Sequence, residues 1–278
     1  MVMNPHGWPP RTYLFVPGTR TERFAKALAS GADRVVLDLE DAVAADDKQL
    51  ARDGIARWLA GASPAEREAV IVRINDAGSP HFRDDLQMLR DSGCTQAMLP
   101  KAEAASQIAD VTSAVPGARV HALIESARGV ARVDDVAGAG GVARLVFGTL
   151  DFALDLDMDI SQDDGALAYA AGRIAIASRV AGLPAPVAGV TPQLVDVTRL
   201  LADLAASRRQ GFGAKLCIHP GQVAPIHDAL RPSAQALDWA RRVLAADAAS
   251  PGAARLDGRM VDRPVVLQAQ RTLAMARH

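Results

Sequence analysis

"RVVLDLEDAV", residues 34–43, begins as a buried strand and ends in acid. Val35, Val36, Leu37 and Leu39 suit a strand in a core, and Asp38, Glu40 and Asp41 then put three carboxylates within four residues. Carboxylates that close repel one another and resist burial unless something cationic pairs with them. Either they sit in water, or they serve a metal or a base.

The same kind of short β-branched run recurs along the chain. Strands are expected at 12–17 (TYLFVP), 34–40, 69–75 (AVIVRIN), 96–101 (QAMLPK), 119–125 (RVHALIE), 143–148 (ARLVFG), 185–189 (APVAG) and 214–220 (AKLCIHP). Helical patterns separate them, among them 21–30, 47–60, 81–93 and the Ala-rich 165–183, with Gly31, Gly93 and Gly182 placed to end helices. Strands alternating with helices mean βαβ units and a parallel sheet. Eight such units match an α/β fold of the (β/α)8 TIM-barrel type. The rival is a doubly wound open sheet, but the first βα turn, "VPGTRTERF", has only Gly18 and lacks the glycine pattern of a dinucleotide site. The barrel is expected over residues 11–249. A helix over 233–247 ends that span; a turn-rich connector and a last helix, 250–278, read as a C-terminal helical extension.

A formal charge of −1 over 278 residues argues against a nucleic-acid binder or a membrane-surface protein. Cys94 and Cys217 lie far apart, in no metal-like spacing, which suits a reducing cytoplasm. The opening "MVMNPHGWPP" lacks the basic and apolar regions of a signal peptide, and no stretch is long and apolar enough to span a membrane.

In a barrel, functional residues stand at the C-terminal ends of the strands. Read in order, those ends carry Asp38, Glu40 and Asp41; then Arg73 and Asn75; Lys101; Glu125; Gly148, Thr149, Leu150 and Asp151; and His219. Carboxylates converging from strands two, five and six suggest a hard divalent cation, and oxygen-only ligands favour Mg2+ over Zn2+. The plainer reading is that an acid such as Asp151 caps a helix. Arg73 either pairs with an acid or clamps a substrate carboxylate or enolate oxygen. Asp38 is expected to pair with an arginine, Arg11 or Arg73. Lys101 could form a Schiff base, but it stands where a helix begins, and a solvated or ion-paired role fits better. His219 reads equally as a base or a structural histidine. "DLDMDISQDDG" (155–165) fails as a calcium loop, because Ile160 stands at position six and Ala166 at position twelve; it reads as a solvated acidic loop.

The stretches "LFVPGTRTERFAKALASGADRVVLDLEDAV", "VRIN", "MLPKAE", "LIESARGV", "LVFGTLDFALDL", "GLPAPVAGVTP", "GFGAKLCIHPGQV" and "GRMVDRPVV" together resemble the citrate lyase β-subunit-like family. This is a branch of the HpcH/HpaI aldolase group that includes malyl-CoA and citramalyl-CoA lyases. The resemblance implies a TIM barrel assembled as a homotrimer or hexamer. It implies Glu125 and Asp151 as Mg2+ ligands, and Glu40 and Asp41 as acids holding metal-bound water. Arg73 would contact the oxo-acid or enolate oxygen, and the amides around Gly148, Thr149 and Leu150 would receive the substrate carboxylate. Arg11 is also expected among the substrate-binding residues. Asp262 in "MVDRP" matches an aspartate supplied by a neighbouring subunit for proton transfer. The expected reaction is Mg2+-dependent carbon–carbon cleavage of a 3-hydroxyacyl-CoA thioester, or its reverse. Alternatives are a citryl thioester lyase subunit working with an acyl carrier protein, a malyl-CoA thioesterase or malate synthase, and a non-catalytic regulatory barrel.

Overall fold

The computed structural model describes residues 9–160, 165–250 and 254–276. The start of the chain, the middle of the acidic stretch 155–165, part of the connector after residue 249 and the last two residues lie outside them.

Eight parallel strands close into a barrel in chain order: β1 (Thr12–Pro17), β2 (Arg34–Asp38), β3 (Val70–Arg73), β4 (Gln96–Leu99), β5 (Arg119–Ile124), β6 (Val142–Phe147), β7 (Val187–Ala188) and β8 (Ala214–Cys217). β1 pairs with both β2 and β8, which completes the ring. Each expected strand is present, and most stop a few residues short of their expected ends. Those trailing residues, Glu40, Asn75, Lys101 and Glu125 among them, have left the ladder and stand at the mouth.

Alternation explains why these residues form a barrel. Successive strand side chains point to opposite faces. Tyr13, Val36, Ile71, Met98, Leu123, Val146, Val187, Ala214 and Leu216 meet inside, and the intervening Leu14, Val35, Val72 and Leu145, also buried, face the surrounding helices. The helices include α1 (Lys48–Gly61), α2 (Phe82–Ser92), α3 (Thr149–Asp155), α4 (Ala168–Val180) and α5 (Val197–Arg209). Gly93 ends α2 in the left-handed conformation (φ 68°), the use to which glycine is best suited.

β7 is the shortest of the eight barrel strands, with two residues and a single register pair to β6, Val146 with Val187. Side chains secure its flanks. Arg144 Nε donates to the Ala185 carbonyl (2.7 Å), and Lys215 Nζ donates to the Gly189 carbonyl (2.9 Å).

The compact barrel unit runs from Pro10 to Ile226. A second compact unit comprises the described residues from His227 on, with Pro9. In it, α6 (Ala234–Ala249) packs on α7 (Arg263–Ala276) through Ala240, Val243, Ala254, Val261 and Ala269. The connector between them forms an antiparallel hairpin, β9 (Arg255–Leu256) with β10 (Arg259–Met260). α6 belongs to this second unit, where its apolar face is matched by that of α7. Among the described residues no helix is long and apolar enough to cross a membrane. Cys94 and Cys217 are free and buried.

Candidate active site at the barrel mouth

Arg73 organises the site. It is the register partner of Asp38 across β2 and β3. Its Nε and Nη2 donate to the two Asp38 oxygens at 2.7 and 2.6 Å, a bidentate pair. Asp38 is buried, and it also accepts the main-chain N–H groups of Glu40 (2.9 Å) and Ala42 (3.1 Å). Asp38 therefore shapes the acidic turn and holds the arginine. Of its two expected partners the structure selects Arg73; Arg11 precedes β1 at the opposite end of the barrel, where its N–H donates to Asp33 (2.7 Å).

The third Arg73 nitrogen, Nη1, lies 2.7 Å from Glu40 Oε2 and 3.6 Å from Asp41. The Glu40 contact is an ion pair without hydrogen-bond alignment, since Oε2 is buried and receives no aligned donor. The guanidinium also stacks over the Phe15 ring, 4.9 Å from its centroid. Burial works against the Arg73 charge, but the hydrogen bonds and charge of Asp38, with the charges of Glu40 and Asp41, outweigh it and raise the arginine's pKa.

Sequence reading missed the cation beneath this turn. Lys48, buried at the start of α1, donates through Nζ to the Leu39 and Glu40 carbonyls, each at 2.7 Å. A buried lysine inside a polar helix start carries no distinctive pattern. Asn75 is likewise structural: its N–H and side-chain amide both reach Asp85, which Arg52 also holds.

Glu125 follows β5 and is 4 % exposed. Its Oε1 accepts the Lys101 N–H at 2.8 Å. Burial, together with repulsion from Glu40 and Asp151, pushes its pKa up to about 8. Glu40 is raised to about 7, chiefly by burial against the opposing pull of Arg73, with Asp41 and Asp38 adding repulsion. Lys101 Nζ lies 3.7 Å from Glu40 Oε1, and the side chain is half exposed. A side chain held within an ion pair is what the sequence suggested for this lysine.

Asp38, Asp41, Arg73, Glu125, Thr149 and Asp151 all face one cavity of about 330 Å³, floored by Phe15, Leu123, Val190 and Leu216. Gly148, Thr149 and Leu150 line it where β6 turns into α3. The N–H groups of a helix's first turn have no partner within the helix, which suits an anionic ligand there. Asp151 lies in that first turn. A larger cavity of about 470 Å³ adjoins it and shares Thr149, Leu150 and Val190, but none of the strand-end carboxylates lines it. The smaller cavity is the one with chemistry.

His219 is exposed, and its Nδ1 accepts the Gly221 N–H (3.1 Å), the structural alternative. Asp262 belongs to the second unit, where it caps α7 by accepting the Val265 N–H (3.1 Å).

The donor set can be tested against a metal. Among the described residues no three His, Cys, Asp or Glu side chains are gathered as a ligand group. Two carboxylates, Glu125 and Asp151, share the cavity and repel each other. Two oxygen donors with surplus negative charge and open space fit Mg2+, which keeps waters and substrate oxygens in its shell.

Comparison with known proteins agrees with this architecture. The family model described as HpcH/HpaI aldolase/citrate lyase matches residues 11–220. The chain belongs to that family. A citrate lyase subunit beta-like protein of Mycobacterium tuberculosis is 37 % identical over 269 residues, covering 95 % of this chain and 94 % of the relative. A (3S)-malyl-CoA thioesterase of Cereibacter sphaeroides is 32 % identical, covering 96 % and 95 %. The crystal structure of CitE from M. tuberculosis, in complex with magnesium, acetoacetate and coenzyme A, superposes with a TM-score of 0.87 at 35 % identity, covering 96 % of this chain and 98 % of that one. Membership of the family matches the resemblance read from the sequence, and the closed eight-stranded barrel matches the fold it implied.

Proposed function

We propose that this chain is a Mg2+-dependent carbon–carbon lyase. It cleaves, or in reverse forms, a 3-hydroxyacyl-CoA thioester such as malyl-CoA or citramalyl-CoA, giving an acyl-CoA and an oxo acid. The observation that carries the reading is the convergence of Glu125 and Asp151 on one cavity beside Arg73. It is supported by the solved relative that holds magnesium, acetoacetate and coenzyme A.

Glu125 and Asp151 hold the metal; Glu40 and Asp41 hold its waters. When bound, magnesium would stabilise negative charge on the oxygen of the carbon that becomes the oxo acid's carbonyl. The N–H groups of Thr149 and Leu150 receive the carboxylate of the acid portion, while Gly148, whose own N–H is held by the Ile124 carbonyl, fixes the turn that presents them. Cleavage of the bond between the hydroxyl-bearing carbon and the thioester's α-carbon leaves an oxo acid and a thioester enolate. The hydroxyl loses its proton and the enolate carbon gains one. Arg73, locked in place by Asp38, presents positive charge to the cavity without having to reorganise. Asp262, from a neighbouring copy in a homotrimer or hexamer, delivers the proton. In this reading the extension over 250–278 exists to complete the site of the next subunit.

A second reading has its own support. The thioesterase relative is aligned over nearly its whole length, so water could take the place of carbon–carbon cleavage as the final outcome. A citrate lyase subunit beta of Leuconostoc mesenteroides, 30 % identical, supports a citrate lyase subunit instead, the alternative in which a citryl thioester is carried by an acyl carrier protein. One experiment separates these. The protein is incubated with malyl-CoA or citramalyl-CoA, with Mg2+ or EDTA, and products are read by mass spectrometry. Mg2+-dependent acetyl-CoA with glyoxylate or pyruvate is expected. Free CoA without acetyl-CoA means a thioesterase. Turnover of neither substrate refutes the proposal as stated.

A further inference from the structure

We infer that Lys101 is a positioning residue for Glu125, and that it acts through its main-chain N–H and not through its ammonium group. The inference rests on the reading of Glu125 as a magnesium ligand. Lys101 sits at φ +47°, in the left-handed region. Among the described residues only Lys101, Asp157 and Asp257 are non-glycine residues with positive φ. Aspartate tolerates that conformation because its short side chain can bond locally; lysine has no such compensation. Strained backbone persists where the surroundings over-determine it.

At this position the Lys101 N–H donates to Glu125 Oε1 at 2.8 Å, and the left-handed turn follows it directly. The other face of the same carboxylate is closed by Gly148. A Cβ at that position would meet Glu125 Oε2 and would lie 2.6 Å from Glu125 Cβ. Gly148 is itself fixed by donating its N–H to the Ile124 carbonyl (2.9 Å). The carboxylate is thus gripped between a donor on one oxygen and a bare α-carbon against the other. The chain leaves Gly148 directly into the turn that bears Asp151. The next N–H, that of Ala102, is anchored on the Leu123 carbonyl (3.0 Å), and the left-handed turn at residue 101 lets both N–H groups be held at once; an extended residue 101 would make the chain give up one of the two. The ammonium has no comparable hold: its 3.7 Å approach to Glu40 is too long for a hydrogen bond.

The test uses variants that all lose the ammonium but differ in left-handed tolerance. Lys101→Gly and Lys101→Asn keep the conformation; β-branched Lys101→Val opposes it. Mg2+ alone is titrated calorimetrically into the chelator-treated full chain, with folding checked by circular dichroism. Wild type, Lys101→Gly and Lys101→Asn are expected to agree within about threefold, and Lys101→Val to bind at least about tenfold more weakly, the usual loss when a metal ligand's support is removed. Should Lys101→Val not fold, Lys101→Ala carries the comparison, with a loss between the two groups. Equal affinity across the set overturns the inference, and so does a uniform loss in every variant, which would assign the role to the ammonium. A wild-type chain that takes up no Mg2+ overturns the metal reading itself, a result distinct from either.

Discussion

His121 should set part of this protein's acid limit. It lies inside the barrel on β5, 5 % exposed, with its ring edge-on to Tyr13 at 5.7 Å between centroids. Neither ring nitrogen has a protein partner. Burial, then the charges of Arg144 on β6, Arg34 on β2 and Arg119 on β5, lower its pKa to about 3. The unfolded chain holds a histidine near 6.5. Below that pH the unfolded state takes up a proton that the folded state refuses. The neutral histidine's full contribution is therefore present above pH 6.5, falls as pH drops, and stops falling near pH 3. Two units below the unfolded value, near pH 4.5, the loss is roughly 3 kcal/mol at about 1.4 kcal/mol per unit. Lys and Arg do not titrate in this window, and carboxylate effects cancel between variants. Urea unfolding of wild type and His121→Leu, at pH 7.5 and 4.5, reads the difference. The stability lost between the two pH values should be about 3 kcal/mol smaller in His121→Leu. Identical acid limbs would refute the argument and mean that the imidazole is protonated, and therefore solvated or paired, inside the barrel.

Other outcomes follow from the mouth. Gly148→Ala should fold but lose Mg2+ affinity by tenfold or more in calorimetry, because its Cβ needs the space of Glu125. Asp38→Asn should cost about 3–5 kcal/mol in urea unfolding, since it leaves Arg73 without its bidentate partner, and should lower kcat with it. Glu125→Gln should abolish Mg2+ binding yet raise the apo-protein's melting temperature at neutral pH. A group whose folded pKa, about 8, stands above its unfolded value is one whose ionised form the fold disfavours.

The barrel was legible because interior residues such as Val36, Ile71 and Met98 alternate with outward apolar neighbours and then give way to polar ends. Glu125 and Asp151 were legible because they end such runs. The choice between Arg11 and Arg73 was not made from sequence, although strand order holds the answer: Arg11 precedes its strand and Arg73 ends one, so only Arg73 reaches the level of Asp38. The left-handed Lys101 gave no signal, because residue type favours glycine or asparagine there and only tertiary packing selects the conformation. His121 read as an ordinary strand residue, since burial without a partner cannot be seen in a one-dimensional pattern. The partnership of α6 with α7 was hidden for a similar reason: helical periodicity shows that a face is apolar, not which helix will cover it.

β7 has a consequence for the motion of the barrel. Opening free energies vary across a structure with the hydrogen bonds and packing that each segment must give up. A two-residue strand with one register pair to β6 is a seam in an otherwise continuous ladder. Two long cationic side chains, Arg144 and Lys215, rivet it at Ala185 and Gly189. Amide exchange should therefore be fastest at this seam among the eight strands, and Lys215→Met should speed it there while leaving β1 to β5 protected. The wall expected to open first is the one whose continuation, Val190, borders the mouth cavity.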